Sequence, residues 1–318
     1  MELIDVGIPS IDLSQFVQKD ATEKASFVHS IGTAFEDIGF VAVHNHGISE
    51  SLIHDLYTQV EHFFELPKAV KRRYEFEELK GQRGYISFGK EHAKNSNTGD
   101  LKEFWHFGQE LNQEVNNRSF NYPANITCQE VPGFNSAGML AYRALEDLGR
   151  KLLKAIALYL DLDENYFEQF VVNGNSILRP IHYPPIISEP KSAVRAGEHE
   201  DINLITLLIG ASADGLQVKN KQGNWISVTA LPEHIVVNVG DMLQRLTNNK
   251  LKSTTHRVVN PPKEKWSSSR YSIPFFLHPV SNMPLNCLPD CIQKSEKQYE
   301  DISAGAFLMQ RLKEIGLA

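Results

Sequence analysis

Cysteine is scarce in this sequence of 318 residues, with only Cys128, Cys287 and Cys291 present. A small, odd number of cysteines excludes a disulfide-stapled scaffold and is typical of a reducing compartment, so we predict a cytoplasmic protein. The amino terminus lacks a basic region followed by an apolar core, so no signal peptide is expected. Apolar runs long enough to span a bilayer are also absent, so neither a membrane span nor a membrane partner is expected.

An excess of positive charge is absent as well, since 32 Lys and Arg stand against 39 Asp and Glu, for a formal net charge of −7. A broad phosphate-binding surface requires a basic patch, so nucleic acid is not an expected partner. The short basic run at residues 71–73 is followed by glutamates and is interpreted as a solvated helix face. A small molecule is the expected partner, and the sequence makes no prediction of the oligomeric state.

Internal repeats and low-complexity linkers are missing too, and we predict one domain over residues 1–318. From 176 to 280 the apolar runs are short, rich in β-branched residues and separated by turn signals, which predicts a β sandwich or barrel. Around this core we expect an amino-terminal flank of helices and strands at 1–135, a long helix with a linker at 136–175 and a carboxy-terminal helix within 281–318. The predicted fold class is α+β, with helices packed outside a β core.

The periodicity of apolar residues predicts the main elements outside this core. The segment at 81–108 is punctuated by glycine and polar residues, so we interpret it as a loop with short strands that lies outside the core. Within it, residues 100–106 mix charge with aromatic side chains, a pattern that fits a surface strand and a pocket wall equally well. The remaining predictions are strands at 8–13 and 39–47 and helices at 20–37, 49–66, 136–160 and 304–315.

A His-x-Asp motif, formed by His199 and Asp201, opens the strand-like run at 202–208. Residues at positions i and i+2 of an extended segment project to the same face, so the imidazole and the carboxylate can point together. They are two of the three ligands of a facial non-haem iron site, which needs one more histidine. His256, at the start of a separate strand-like run, supplies it and must come from a different strand.

Arg270 and Ser272 form a second i, i+2 pair on the following strand-like run. A guanidinium fork with a hydroxyl group beside it suits a buried carboxylate. The sequence therefore predicts a mononuclear non-haem iron site with an anion-binding strand next to it. Another pair, His44 and His46, has no carboxylate near it in sequence and is interpreted as the end of a core strand.

The order and spacing of these residues resemble the isopenicillin N synthase-like branch of the iron(II)/2-oxoglutarate oxygenases. The resemblance covers almost the whole chain. It implies the double-stranded β-helix (jelly-roll) fold of that family, which agrees with the strand-rich segment at 176–280. Besides the motifs above, the resemblance rests on the segments at 8–13, 39–40, 46–48, 83–85, 182–185, 215–218, 238–241 and 253–258.

The resemblance also implies roles for the motif residues. The ligands of Fe(II) would be His199, Asp201 and His256. The contacts of the distal carboxylate of 2-oxoglutarate would be Arg270, Ser272 and, on the neighbouring strand, Tyr183. Three open iron positions would accept the oxo acid and O2. The implied enzyme is a dioxygenase that oxidises a C–H bond of a small molecule, most often by hydroxylation, and releases succinate and CO2.

The family pattern further suggests positions that contact the substrate. An arginine together with an acid among them suits a zwitterionic, amino-acid-like molecule, so we expect a small polar metabolite. Turnover of large apolar compounds alone would refute this expectation. The candidate substrate contacts are Arg83, Phe88, Glu103, His106, Arg195 and Phe276.

One departure from the family pattern leaves an alternative open. Many members that use 2-oxoglutarate have an asparagine two residues before the equivalent of Tyr183, where this chain has Ile181. Isopenicillin N synthase, which does not use 2-oxoglutarate, is apolar there and has a similar His-Glu-Asp triplet. In that enzyme the Arg-x-Ser strand and an arginine resembling Arg83 serve the substrate.

That oxidase also ends with a glutamine that can occupy the iron, and residues 315–318 lack it. We therefore favour the use of 2-oxoglutarate over an oxidase of the isopenicillin N synthase type. A non-catalytic sensor of the same fold is a more distant alternative. It is disfavoured because a protein that only binds a small acid does not need the two histidines and one aspartate of an iron site.

Overall fold

The computed structural model describes residues 7–18, 20–92, 99–111, 122–190, 193–210, 214–229, 231–293 and 296–314. Its strands are β1 (Ser10–Asp12), β2 (Phe40–His44), β3 (Gly84–Ile86), β4 (Glu103–Gly108), β5 (Ile177–Leu178), β6 (Ile181–Tyr183), β7 (Ala196–His199), β8 (Ile205–Ile209), β9 (Leu216–Lys219), β10 (Trp225–Ser227), β11 (Ile235–Val239), β12 (His256–Val258) and β13 (Arg270–Leu277). Its α-helices are α1 (Ser14–Val17), α2 (Ala21–Asp37), α3 (Glu50–Glu65), α4 (Lys68–Lys71), α5 (Pro132–Tyr159), α6 (Glu168–Val171), α7 (Asp241–Leu246), α8 (Pro289–Ile292) and α9 (Ala304–Glu314). Short 3-10 helices lie at Arg72–Tyr74, Glu77–Leu79 and Lys263–Lys265.

Two sheets form the β core. The larger has the order β1-β2-β11-β8-β13-β5-β4-β3, with β6 paired to β13 and β4, and the smaller has the order β10-β9-β12-β7. Apart from the parallel pair of β1 and β2, the strand pairs within the described residues are antiparallel. Together with the helices outside, this is the α+β jelly-roll architecture that the sequence predicted.

Alternating side chains give the larger sheet two buried faces. Val41 and Val237 belong to the main apolar core under the helices, whereas Ala42 and Val236 belong to a second cluster that includes Val218 of the smaller sheet. Burial on both faces explains why these strands read as continuous apolar runs rather than as an alternating pattern. The inner face, between the two sheets, is where polar side chains can line a cavity.

The predicted long helices are confirmed, with shifted ends. The carboxylate of Asp20 caps α2 by accepting hydrogen bonds from two backbone N–H groups of its first turn, at 2.8 and 2.9 Å. Helix α5 begins at Pro132, earlier than the predicted 136, because proline is well tolerated in the first turn of a helix. α2 and α5 approach closely at Gly32, where a Cβ atom would lie 2.1 Å from the Tyr159 ring. These helices cover the outer face of the larger sheet.

The segment at 81–108 corrects a prediction. Instead of lying outside the core, β3 and β4 form one edge of the larger sheet, and every residue of both strands is buried. The reason is the aromatic content of β4. The Trp105 ring packs against Phe63 and Phe134 of the covering helices, at centroid distances of 4.9 and 5.2 Å. The glycines and polar residues that flank these aromatic side chains masked a buried strand.

The remaining sequence predictions concern membrane-spanning helices, the cysteines and the domain organisation. None of the helices in the described parts of the chain is both long and apolar enough to cross a membrane. The three cysteines form no disulfide with one another. The division of residues 1–318 into one domain, with the internal boundaries given above, stays a prediction.

Candidate metal centre

Three potential metal ligands converge where β7 ends and β12 begins. His199 and His256 are directly paired across these antiparallel strands, and their ring centroids lie 4.3 Å apart. Asp201 follows β7, and its Oδ1 atom lies 3.9 Å from His199 Nε2 and 3.8 Å from His256 Nε2. One ligand atom from each residue lies within 4.8 Å of the others, so a single ion can contact all three.

Backbone carbonyl groups fix the orientation of both imidazoles. His199 Nδ1 lies 2.8 Å from the carbonyl oxygen of Gly197, and His256 Nδ1 lies 3.0 Å from that of Thr254. A carbonyl oxygen only accepts hydrogen bonds, so each Nδ1 carries the proton and donates it. Each Nε2 atom therefore has its lone pair available for a metal, which is the tautomer that a ligand at this position needs.

The carboxylate of Asp201 is oriented through its second oxygen. Oδ2 accepts hydrogen bonds from Thr206 Oγ1 at 2.6 Å and from Asn238 Nδ2 at 2.8 Å, which leaves Oδ1 for a metal. Burial alone would raise the pKa of Asp201, but the two imidazoles and these two donors together hold it below its usual value. Asp201 is therefore ionised at neutral pH, as a metal ligand must be.

This set of donor atoms fits iron(II). Burial, and after it the neighbouring His256, lowers the pKa of His199 to about 4, so its imidazole is neutral and able to bind a metal at neutral pH. Two neutral imidazoles and one carboxylate form the facial arrangement that non-haem iron enzymes use. The outer hydrogen bonds described above fix all three groups, which is the usual condition for a metal site.

A cationic strand lies beside this centre. Arg270 on β13 is paired directly with Tyr183 on β6, and Ser272 is paired with Ile181. Arg270 is 1% exposed, and its Cζ atom lies 5.0 Å from the centroid of the Tyr183 ring. Its Nε donates a hydrogen bond to the carbonyl oxygen of Asp214 at 3.2 Å. The cationic strand and the three candidate ligands line one cavity of about 420 Å³. This volume lies within the range of about 300–1,000 Å³ that small-molecule sites occupy.

Two of the predicted substrate contacts, His106 and Phe276, line this cavity, and a third, Arg195, lies close to it without being part of its wall. Arg195 Cζ is 5.8 Å from the centroid of the Tyr183 ring, so two guanidinium groups lie near that ring. Burial, and after it the charge of Arg270, lowers the pKa of Arg195 to about 10. The positive potential of this region suits a dicarboxylate.

Arg83 and Phe88 are not among the residues that line this cavity, and their role as substrate contacts stays a prediction. Phe88 is 46% exposed. Arg83 is buried, but its guanidinium packs against Gly108, where a Cβ atom would lie 1.8 Å from Arg83 Cζ.

Glu103 is also not part of the cavity wall, and its role as a substrate contact stays a prediction. On β4 it is an odd number of residues from His106, so the two side chains leave opposite faces of the strand. Its carboxylate contacts the ammonium group of Lys71 at 2.6 Å and His182 Nδ1 at 2.8 Å. Lys71 is buried by this ion pair, which corrects the interpretation of the basic run at 71–73 as a fully solvated face.

Sequence reasoning missed the two side chains that orient Asp201. Thr206 is the single polar residue of β8, and Asn238 is the single polar residue of β11. A lone polar side chain in an otherwise apolar strand was the available signal, because a buried hydroxyl or amide needs a specific partner.

The segment at 100–106 forms part of a pocket wall and is not a surface strand. Asp100, Lys102 and His106 all line the cavity.

Comparisons with known proteins agree with this geometry. Residues 8–130 match the family model described as the amino-terminal part of the non-haem dioxygenases in morphine synthesis, and residues 168–279 match the model of the 2OG-Fe(II) oxygenase superfamily. The 2-oxoglutarate-Fe(II) type oxidoreductase hxnY of Emericella nidulans is 30% identical over 316 residues, which cover 94% of this chain and 89% of that relative.

Two solved structures are similar over nearly their whole length. A putative 2OG-Fe(II) oxygenase family protein from Caulobacter crescentus is 40% identical, with a TM-score of 0.85, and the match covers 96% of this chain and 98% of that one. A full-length Neurospora crassa protein in complex with alpha-KG and thymine is 34% identical, with a TM-score of 0.84, and the match covers 96% of each chain.

Two histidines and a carboxylate at one site inside a jelly roll, with a cationic strand beside them, define a mononuclear non-haem iron oxygenase. The chain belongs to the 2-oxoglutarate- and iron(II)-dependent oxygenase superfamily. Its cofactor is Fe(II), and it uses 2-oxoglutarate as co-substrate together with O2. The alternative of an oxidase that does without 2-oxoglutarate is not favoured, because the relatives are 2-oxoglutarate-Fe(II) oxidoreductases.

Replacing Thr206 by valine should weaken iron(II) binding by about 10–100-fold, the usual effect of removing a partner that orients a metal ligand. Valine has nearly the same shape as threonine but donates no hydrogen bond, so the Asp201 carboxylate loses a contact that holds Oδ2 away from the metal. Anaerobic titration of the apoprotein with iron(II) measures the affinity. Thr22→Val, an exposed change on α2, is the matched control. An unchanged affinity in Thr206→Val would contradict this orienting role.

Proposed function

We propose that this enzyme hydroxylates a C–H bond of a small polar metabolite while 2-oxoglutarate is converted to succinate and CO2. One observation carries the proposal. The candidate iron ligands, the cationic strand and a separate group of polar side chains line the same cavity of about 420 Å³. A cavity of this size suits small molecules.

His199, Asp201 and His256 hold the iron in this proposal. When bound, iron(II) supplies the activation of O2 that couples decarboxylation of the oxo acid to oxidation of the substrate. The chain keeps both imidazoles in the Nδ1–H tautomer through the carbonyl groups of Gly197 and Thr254. Protein groups transfer few protons in such a reaction, and their task is to place one C–H bond and to exclude water.

Arg270, Ser272 and Tyr183 bind the distal carboxylate of 2-oxoglutarate in this proposal. A guanidinium group binds a carboxylate through two parallel hydrogen bonds, and the hydroxyl groups of the other two residues add further donors. Ile181 stands where many members of the family have an asparagine, and it is paired with Ser272 on the neighbouring strand. In this proposal Arg270, Ser272 and Tyr183 hold the distal carboxylate without an amide at that position. A cytoplasmic location, expected from the scarcity of cysteine, also stays a proposal.

The test is an incubation of the iron-loaded protein with 2-oxoglutarate, O2 and a fractionated mixture of small polar metabolites. Mass spectrometry should find one polar compound that gains a single oxygen atom, in an amount equal to the succinate released. A product that forms without succinate would instead support the oxidase of the isopenicillin N synthase type. Oxygenation of large apolar compounds alone would contradict the proposed substrate.

A further inference from the structure

A second group of charged side chains lines the cavity beside the metal centre. We call it the charged wall, and its members are Glu91, Asp100, Lys102 and Arg179. Lys102 Nζ contacts Glu91 Oε1 at 2.7 Å and Asp100 Oδ2 at 2.9 Å, and Arg179 donates a hydrogen bond to Glu91 Oε1 at 3.2 Å. Two negatively charged carboxylates and two positively charged side chains therefore neutralise each other at the cavity wall.

The charged wall is attached to the strand that carries His199. Asp100 Oδ1 accepts a hydrogen bond from the Gly197 N–H group at 3.0 Å, and the Gly197 carbonyl oxygen accepts one from His199 Nδ1 at 2.8 Å. A molecule bound to the charged wall therefore lies next to the metal centre, where the reaction takes place.

The guanidinium of Arg179 is fixed in one orientation. His106 Nδ1 lies 2.6 Å from the carbonyl oxygen of Gly81 and must donate to it, so His106 Nε2 accepts a hydrogen bond from Arg179 Nε at 2.5 Å. Arg179 Cζ also lies 4.3 Å from the centroid of the Phe104 ring and 5.1 Å from that of Phe276. These contacts keep the charged wall rigid, so its donors and acceptors hold fixed positions.

Two buried side-chain oxygen atoms of the cavity wall have no hydrogen-bond partner within the described parts of the chain, and they are Glu91 Oε2 and Asn175 Oδ1. Glu91 is 8% exposed and Asn175 is 7% exposed, so bulk water does not satisfy them. Since roughly 90% or more of buried polar atoms in proteins have a partner, an unpartnered carboxylate oxygen indicates a ligand that donates. Both atoms are acceptors, so the ligand must carry hydrogen-bond donors.

We propose, on the basis of the proposed function, that the substrate is a neutral molecule with amide N–H groups, such as a lactam, a ureide or a pyrimidine base, and that Glu91 accepts one of these N–H groups. The charged wall carries no net charge, and its ionic groups already pair with one another, so it supplies no uncompensated charge for a ligand ion and suits a neutral molecule. An amide also carries a carbonyl oxygen, and the ammonium group of Lys102 next to Glu91 is a donor for it.

Replacing Glu91 by glutamine should turn one hydrogen-bond acceptor of the charged wall into a donor. Lys102 and Arg179 both donate to Oε1, so a glutamine keeps its carbonyl oxygen toward them. Its amide nitrogen, a donor, then takes the place of Oε2, an acceptor. An N–H substrate would meet another donor, so its KM should rise by about 10–100-fold, the effect expected from losing one hydrogen bond to a charged group.

The test measures succinate release by the wild-type, iron-loaded protein with 2-oxoglutarate, O2 and single probe compounds. The N–H probes are thymine, uracil, hydantoin and pyrrolidinone, each paired with its counterpart methylated on every ring nitrogen. At least one N–H probe should accelerate succinate release about tenfold or more, and its methylated counterpart should not. The proposal is wrong if no N–H probe accelerates release, or if the methylated counterparts, L-proline or glycerol accelerate it equally.

Glu91→Gln is compared with Glu110→Gln, a change at an exposed glutamate that pairs with Arg143 on the surface. Only Glu91→Gln should raise the KM of the N–H probe, and equal KM values would refute the role of Glu91. Thermal unfolding shows whether the buried variant folds, and if it does not, the wild-type probe pairs decide alone. Failure of the iron(II)-loaded protein to bind 2-oxoglutarate would contradict the proposed function, whereas binding of 2-oxoglutarate without accelerated succinate release for any N–H probe would contradict only the substrate class.

Discussion

Replacing His256 with alanine should abolish iron(II) binding and the turnover of 2-oxoglutarate. Its imidazole supplies one of three ligand atoms that lie within 4.8 Å of one another, and two ligands alone do not define a facial site. Succinate release should fall by more than about 100-fold, because removing only an outer partner of a ligand already reduces activity by about 10–100-fold. The iron content of the purified protein and the rate of succinate release measure the two effects.

His29→Ala is the matched control for this variant, because His29 is an exposed histidine on α2 and its removal should leave iron content and activity unchanged. His256 is buried, so circular dichroism must show that His256→Ala keeps its secondary structure. A folded His256→Ala protein that binds iron(II) at full stoichiometry and releases succinate at the wild-type rate would contradict the proposed ligand set.

Replacing Arg270 with alanine should weaken the apparent affinity for the oxo acid, raising its KM by ~30-fold or more, since truncating one partner of a buried, hydrogen-bonded charge pair costs about 2–5 kcal/mol. Arg270 is 1% exposed and lines the cavity together with Ser272 and Tyr183, so the carboxylate of the co-substrate would lose its main cationic contact. Arg270→Lys keeps the charge but not the two parallel hydrogen bonds, so its KM should lie between those of the other two proteins.

Steady-state succinate release at varied concentrations of 2-oxoglutarate measures these KM values. Arg143→Ala, which removes an exposed arginine from a surface ion pair, is the control and should leave the KM of the co-substrate unchanged. If Arg270→Ala changed only the KM of the oxidised substrate, the arginine would serve that substrate, as in the isopenicillin N synthase type of enzyme.

The convergence of His199, Asp201 and His256 was predictable because strand geometry sets it. Positions i and i+2 share a face of an extended segment, so the first pair needed no knowledge of the tertiary structure. The family resemblance implied that Tyr183 lies beside Arg270, and the structure pairs the two residues on neighbouring strands. What the sequence did not predict was the direct register between His199 and His256 in the smaller sheet. Strand order depends on contacts between residues far apart in sequence, which spacing alone does not reveal.

The substrate side of the cavity was much less predictable. Glu103 and His106 lie on one short strand and were both expected to contact the substrate, but an odd separation sends their side chains to opposite faces. The charged wall joins residues from three separate segments, and only their tertiary contacts bring Glu91 and Arg179 together. Charged residues in such segments usually face solvent, so their burial here requires partners that no local pattern specifies.

Anaerobic titration of the wild-type apoprotein, first with iron(II) and then with 2-oxoglutarate, tests the central claim most directly. One iron should bind per chain, and a weak visible charge-transfer band should appear only after 2-oxoglutarate is added. Binding of several irons, or a ternary mixture that shows no band at saturating concentrations, would contradict a single iron site formed by His199, Asp201 and His256 with the co-substrate beside it.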